Sequence, residues 1–142
     1  MSEPQENTSC FIDTNVWLYA FIASQDERKS NLANKLIQKS RSTIVSVQVI
    51  NEVCANLVKR EQFTPAQTRD VISDFYATCV VVGQDEIVLI MATELRERYS
   101  LSHWDSLIVA SAIISGATTL YSEDLHDGLV IDQKLTVMNP FK

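Results

Sequence analysis

Along the chain, short apolar runs alternate with longer stretches in which apolar positions recur every three or four residues. The short runs are "CFI" at 10–12, "TIV" at 43–45, "CVVV" at 79–82, "TTLY" at 118–121 and "LTVM" at 135–138. Runs of this length with little polar alternation predict strands covered on both faces, as in parallel sheets. The longer stretches predict helices. In "DERKSNLANKLIQKSR", residues 26–41, Leu32, Ala33, Leu36 and Ile37 share one face. Acids begin that segment, and Lys39 and Arg41 end it, which complements the helix dipole. "TPAQ" at 64–67 supplies Thr64 as N-cap, Pro65 at the first helical position and Gln67 to close a capping box. Val71, Ile72, Phe75 and Tyr76 are its expected buried stripe. Another helix is expected after Gly83, and a further one from about Trp104 to Ser115, stopped by Gly116. Strands alternating with helices imply an α/β fold, a three-layer domain with a mainly parallel five-stranded sheet flanked by helices.

A chain of 142 residues suits one domain that buries roughly 70% of its unfolded surface. Residues 1–8, "MSEPQENT", are polar and without periodicity, so a mobile tail is expected there and a single domain over 9–142. With 46% hydrophobic residues the chain is not of the disordered class. Its longest apolar runs, such as Leu107–Ile114, are too short to cross a bilayer. No basic-then-apolar segment opens the chain, which makes the cytoplasm the expected location and a membrane an unexpected partner. Cys10, Cys54 and Cys79 sit among apolar neighbours with no C-x-x-C pair, so buried thiols are expected rather than disulfides or a zinc site. The formal net charge of −6 argues against broad phosphate neutralisation. It leaves room for a metal and a local basic patch.

The ionisable residues change the picture further. Asp13 interrupts the apolar segment "SCFIDTNVWLYAF" directly after the first strand. It is either a helix N-cap or a chemical group. Glu52, in "SVQVINEVCANL", falls under two turns into a helix that Ser46 can cap. There it lies beside the packed face marked by Val49, Val53 and Leu57. Asp105 completes an S-x-x-D capping pattern with Ser102, at the start of a helix so apolar that its beginning is expected to be poorly solvated. Asp124 follows the fourth strand, where an Asx turn is the plain alternative, and Glu123 and Asp127 are close rivals. Each acid has a structural explanation by itself. Together they all fall where they can face the carboxyl edge of one sheet, the edge at which α/β folds place their sites. Like charges brought together at low dielectric need a cation or a proton, and no lysine or arginine lies within these four motifs. An all-carboxylate set suits magnesium or manganese.

At these residues the chain resembles a known family. "FIDTNVWLYAF", "SVQVINEV", "LSHWDSLIVASAIISGATTLYSEDL" and the ending "LTVMNPF", in this order and spacing, are similar to PIN-domain proteins, specifically VapC-like toxins of toxin–antitoxin pairs. The resemblance runs from about Phe11 to Phe141. It implies a metal-dependent endoribonuclease using Mg2+ or Mn2+, with products carrying 5′-phosphate and 3′-hydroxyl ends. By matching motif it makes Asp13, Glu52, Asp105 and Asp124 the catalytic and metal-binding acids. It gives Asn15, Ser46 and Ser122 supporting roles behind them. It also implies a homodimer and a cognate antitoxin whose cationic segment enters the acidic groove. The polar extension before the first strand departs from many members.

RNA contacts must then come from basic residues. Lys29, Lys35, Lys39 and Arg41 cluster on one helix and its end, and Lys59 and Arg60 end the helix that carries Glu52, which ties that pair to a motif. Solvated helix faces are the competing explanation for all of them. Two other function classes compete with this reading. A haloacid-dehalogenase-like phosphatase needs a second acid two residues after the first, and that position is Asn15. A catalytically silent PIN-like module that binds RNA or protein would be favoured by a missing acid, yet all four positions are filled.

Overall fold

The structure, a computed structural model, describes residues 9–142; the tail expected over 1–8 lies outside the described residues. In chain order the elements are β1 (Cys10–Ile12), α1 (Thr14–Phe21), a 3-10 turn (Ala23–Gln25), α2 (Glu27–Lys39), β2 (Thr43–Ser46), α3 (Val47–Glu61) and α4 (Pro65–Thr78). There follow β3 (Val80–Val82), α5 (Glu86–Tyr99), α6 (His103–Ile114), β4 (Thr119–Tyr121), β5 (Val130–Ile131) and β6 (Leu135–Met138). One sheet results, with strand order β3-β2-β1-β4-β6-β5, parallel throughout except where β5 pairs with β6.

The apolar runs behave as their composition demands. Phe11, Ile12, Ile44, Val45, Leu120, Leu135 and Val137 are buried, the first four on adjacent strands at the sheet's centre. The edge strand β3 differs. Val80 there is 53% exposed, so cover on both faces is not achieved at that edge. Helix α6 is buried continuously from Ser106 to Ala112, as its nearly all-round apolarity requires. The capping box of α4 forms: Thr64 Oγ1 accepts from Gln67 N at 3.1 Å, and Gln67 Oε1 accepts from Thr64 N at 2.8 Å. Only half of that helix's expected stripe is buried. Val71 and Phe75 point inward, whereas Ile72 and Tyr76 are exposed, because a helix seated at the sheet's edge covers only a narrow strip. The cysteines are free thiols, Cys54 buried and the other two half-buried.

The sheet has six strands rather than five, the extra one being β5. It closes a tight hairpin with β6 in which Asp132 and Gln133 both have positive φ, 53° and 56°, and Lys134 N donates to Ile131 O at 3.0 Å. Such turns favour Asn-Gly or Asp-Gly. Here Asp-Gln takes the strained conformation, braced by Tyr99 Oη against Asp132 N (3.1 Å) and by an Arg98–Asp132 ion pair.

The strand order also explains where a site belongs. The chain moves outward from β1 to β2 and β3, crosses back through α5 and α6, and enters β4 on the other side of β1. The order therefore reverses between β1 and β4. A reversal leaves the connections after the two strands diverging to opposite sides, which opens a crevice at their carboxyl ends.

Candidate active site

Asp13 is the first residue beyond β1 and Ser122 the first beyond β4, so the reversal places them side by side. Ser122 Oγ donates to Asp13 Oδ2 at 2.8 Å, and Thr14 N donates to Asp13 Oδ1 at 2.7 Å. Asp13 is thus the N-cap of α1 and, at 6% exposure, a buried carboxylate at the crevice floor. Capping and burial coexist, and two donors leave lone pairs on both oxygens. Burial pushes its pKa up to about 6 despite those donors, and the charges of Glu52 and Asp105 add to the rise.

Three more acids reach the same cleft of about 380 Å³: Glu52 from α3, Asp105 from the first turn of α6 and Asp124 from the loop after β4. Glu52 lies under two turns into α3, as expected from its Ser46 cap, whose hydroxyl accepts from Val49 N at 3.3 Å. Its Oε1 accepts from Thr14 Oγ1 (2.6 Å) and its Oε2 from Gln48 Nε2 (3.1 Å). Asp105 N donates to Ser102 Oγ at 3.1 Å, closing the helix start. Its carboxyl is held above the usual carboxylate range by partial burial, then by Asp124 and Glu52, against a lowering bond with Ser102. The beginning of α6 is wetter than its composition suggests: His103 and Trp104 are exposed, and full burial starts at Ser106.

Asn15 ties the two sides of the crevice together. Its Nδ2 donates to Asp124 Oδ2 and its Oδ1 accepts from Glu123 N, both at 3.1 Å. Ser122 Oγ also accepts from Asp124 N at 3.2 Å, which fixes the turn that presents Asp124. The rival acids are engaged elsewhere. Glu123 pairs with Lys29 and accepts from Tyr19 Oη, while Asp127 accepts from Asn139 N and lies near Lys142. Ser46, fully buried, spends its hydroxyl on its own helix start. Lys59 and Arg60 are exposed near the far end of α3 and do not line the cleft; Arg60 leans back to Asn56, a lining residue, at 3.5 Å.

Among the described residues, no three acidic, histidine or cysteine side chains are drawn together closely enough to enclose a cation as they stand. The donor chemistry nevertheless fits one. All four acids offer oxygen, no lysine or arginine lines the cleft, and burial first, then neighbouring carboxylates, raise the pKa of Asp13 and Asp105, so a cation would favour their ionised form. Sequence reasoning overlooked Thr14, Gln48, Asn56 and Trp104, which line the cleft together with the apolar Leu18 and Ile108. Gln48 was findable, being one helical turn before Glu52. Thr14 was readable only as part of a capping triplet.

A family model described as the PIN domain matches residues 10–126. No curated protein sequence matches the chain significantly. Solved structures do. The sarcin–ricin loop cleaving toxin VapC20 of Mycobacterium tuberculosis superposes with a TM-score of 0.67 at 19% identity, over 81% of this chain and 91% of that one. A toxin–antitoxin complex from Klebsiella pneumoniae gives 0.68 at 20% identity, over 92% and 97%. FitAcB from Neisseria gonorrhoeae gives 0.60 at 15%, over 93% and 98%. At such identities the structures speak for the fold alone, but the family model spans most of the chain and takes in all four acids of the cleft, Asp13, Glu52, Asp105 and Asp124. The acids gathered where β1 and β4 part therefore belong to a member of the PIN-domain family.

Proposed function

We propose that the protein is a metal-dependent endoribonuclease, the toxin of a toxin–antitoxin pair, which hydrolyses RNA phosphodiester bonds. The observation that carries this reading is the convergence of Asp13, Glu52, Asp105 and Asp124 on one cleft at the sheet's reversal point, with no cationic side chain in its lining. Asp13 and Asp105 are assigned as the main ligands of Mg2+ or Mn2+. Glu52 and Asp124 serve a second ion or position water. A divalent ion supplies Lewis acidity there, making water a stronger acid and offsetting charge on the attacked phosphate. The chain's own residues do the rest. Ser122 and Thr14 N hold the Asp13 carboxylate, Thr14 Oγ1 and Gln48 hold Glu52, and Asn15 holds Asp124. Each bond spares a flexible acid the search for its orientation. Lys59 and Arg60 are assigned to the RNA backbone beyond the cleft, reached along α3.

The partner reading rests on the resemblance and on neighbours that are themselves toxin–antitoxin assemblies. Helix α5 leaves Ile87, Leu89 and Ile90 about half exposed or more, apolar surface available to a second copy or an antitoxin. Among the described residues no helix is long and apolar enough to cross a membrane. The test is cleavage of total RNA by purified protein with millimolar magnesium or manganese. Asp105→Asn is expected to lower the rate by at least 100-fold while keeping the parent's circular dichroism. Cleavage at the parental rate would remove Asp105 from the assignment, and a silent parent would favour the binding-module alternative.

A further inference from the structure

Beside the acidic cleft lies a second recess of about 610 Å³, lined by Val47, Gln48, Asn51, Glu52, Gln84 and Trp104. The two share Gln48, Glu52 and Trp104, so they form one continuous surface. Its chemistry differs from that of the cleft. Trp104 is 62% exposed, a large apolar face left in water on the first turn of α6, with its indole set edge-on to His103 at 4.9 Å between ring centroids. Val47 is 39% exposed and adds to the apolar side. The polar side is a row of fixed amides. Gln84 Nε2 donates to Ser111 Oγ (3.1 Å) and to Gln48 Oε1 (2.8 Å), and Gln48 Nε2 donates onward to Glu52.

We infer that this recess is a nucleobase subsite, in which an unpaired base next to the cleaved phosphate stacks on Trp104 with its edge toward the amides of Gln48, Asn51 and Gln84. A base requires this pairing of surfaces: a flat apolar platform for its π-face and both donors and acceptors for its edge. The amide row is neutral, so it does not add to the repulsion of the phosphate by the acids. A base held in its helical stack cannot reach the platform, so the preferred substrate is single-stranded or looped RNA rather than duplex. The inference rests on the ribonuclease reading for the identity of the ligand, and it deepens that reading by naming the form of RNA taken.

The chain has two tryptophans, and Trp17 is buried with its indole nitrogen donating to Ile12 O, so quenching by a stacked base reports on Trp104. The protein is titrated in chelator with a single-stranded oligoribonucleotide and with a duplex of the same sequence, using the parent and Trp104→Phe. Cleavage of the single strand in magnesium is then compared for parent, Trp104→Phe and Trp104→Ala. Expected are quenching of the parent by the single strand but not by the duplex, and no quenching of Trp104→Phe. Loss of the stacking platform in Trp104→Ala is expected to reduce kcat/KM by about 5- to 150-fold, with Trp104→Phe restoring most of it. Absent or duplex-equal quenching, or parental cleavage by Trp104→Ala, would overturn the subsite. The two readings fail separately: a parent that is quenched but never cuts loses the ribonuclease reading and keeps the base subsite. A parent that cuts no faster than Trp104→Ala does the reverse. Should Trp104→Ala not fold, the quenching comparison with Trp104→Phe decides.

Discussion

Asp13 bears the conflict between stability and charge most directly. Its pKa in the folded chain, about 6, exceeds the ordinary value of 3.8, so the folded state holds its proton more tightly than the unfolded one. Stability attached to this group is therefore present at low pH and lost as pH rises from about 4 through 6, and the ionised carboxylate destabilises the metal-free protein above that. A rise of this size corresponds to roughly 3 kcal/mol. Asparagine keeps the N-cap and the size of the side chain without the charge. In chelator at pH 7.5, Asp13→Asn is expected to melt several degrees above the parent, with the gap closing below about pH 4. Melting curves across that range check it, and a gap that does not vary with pH would mean that burial of charge is not what separates the two. The same residue shows how a one-dimensional reading reaches its limit. Cap and chemical group are alternatives in the sequence, yet the structure makes them compatible, because the cap is formed while Thr14 N and Ser122 Oγ occupy only part of the side chain's lone-pair capacity.

At the scale of elements, legibility followed local signal. The continuous apolar runs marked β1, β2, β3, β4 and β6, and the Thr64–Gln67 box marked the start of α4, because each signal is contained in neighbouring residues. The failures share a cause in tertiary placement. Ile72 and Tyr76 have the right helical spacing, but the edge of a sheet offers too little area to cover them. Strand β5 went unseen because its turn is Asp132-Gln133 without glycine, a choice supported from outside by Tyr99 and Arg98. That support has a measurable counterpart. A non-glycine residue at φ 56° carries left-handed strain on the order of 1 kcal/mol, and Gln133 is exposed. Gln133→Gly keeps Asp132 and its bracing and is expected to raise the unfolding free energy by about 0.5–1 kcal/mol, read from denaturant melts at unchanged m-value. A loss of stability would mean that the glutamine side chain makes a contribution larger than the strain.

For the molecule as a whole, the decisive property is that four acids distant in sequence share one cleft, which no local pattern states. The order of the motifs along the chain hinted at it; the reversal of strand order between β1 and β4 accomplishes it. What escaped the sequence was most of the neutral polar frame around the acids, since Thr14 and Gln84 acquire meaning only across elements, whereas Gln48 reaches Glu52 within its own helix. An acidic cleft of this kind predicts a global response to metal that needs no substrate. Binding only to the folded state stabilises it by about 2.7 kcal/mol when free ion stands 100-fold above its dissociation constant. Magnesium or manganese is therefore expected to raise the melting temperature of the parent by several degrees. Asp105→Asn relieves part of the repulsion among Asp105, Asp124 and Glu52, so its metal-free form is expected to melt at or above the parent, and removal of an oxygen donor's charge should shrink its gain from metal. An Asp105 that only closes its helix predicts an equal metal response in both proteins and no gain for the metal-free variant. Thermal melts of both, with chelator and with millimolar ion, separate these outcomes, and curves that superimpose with and without metal would refute a cation site at the reversal point.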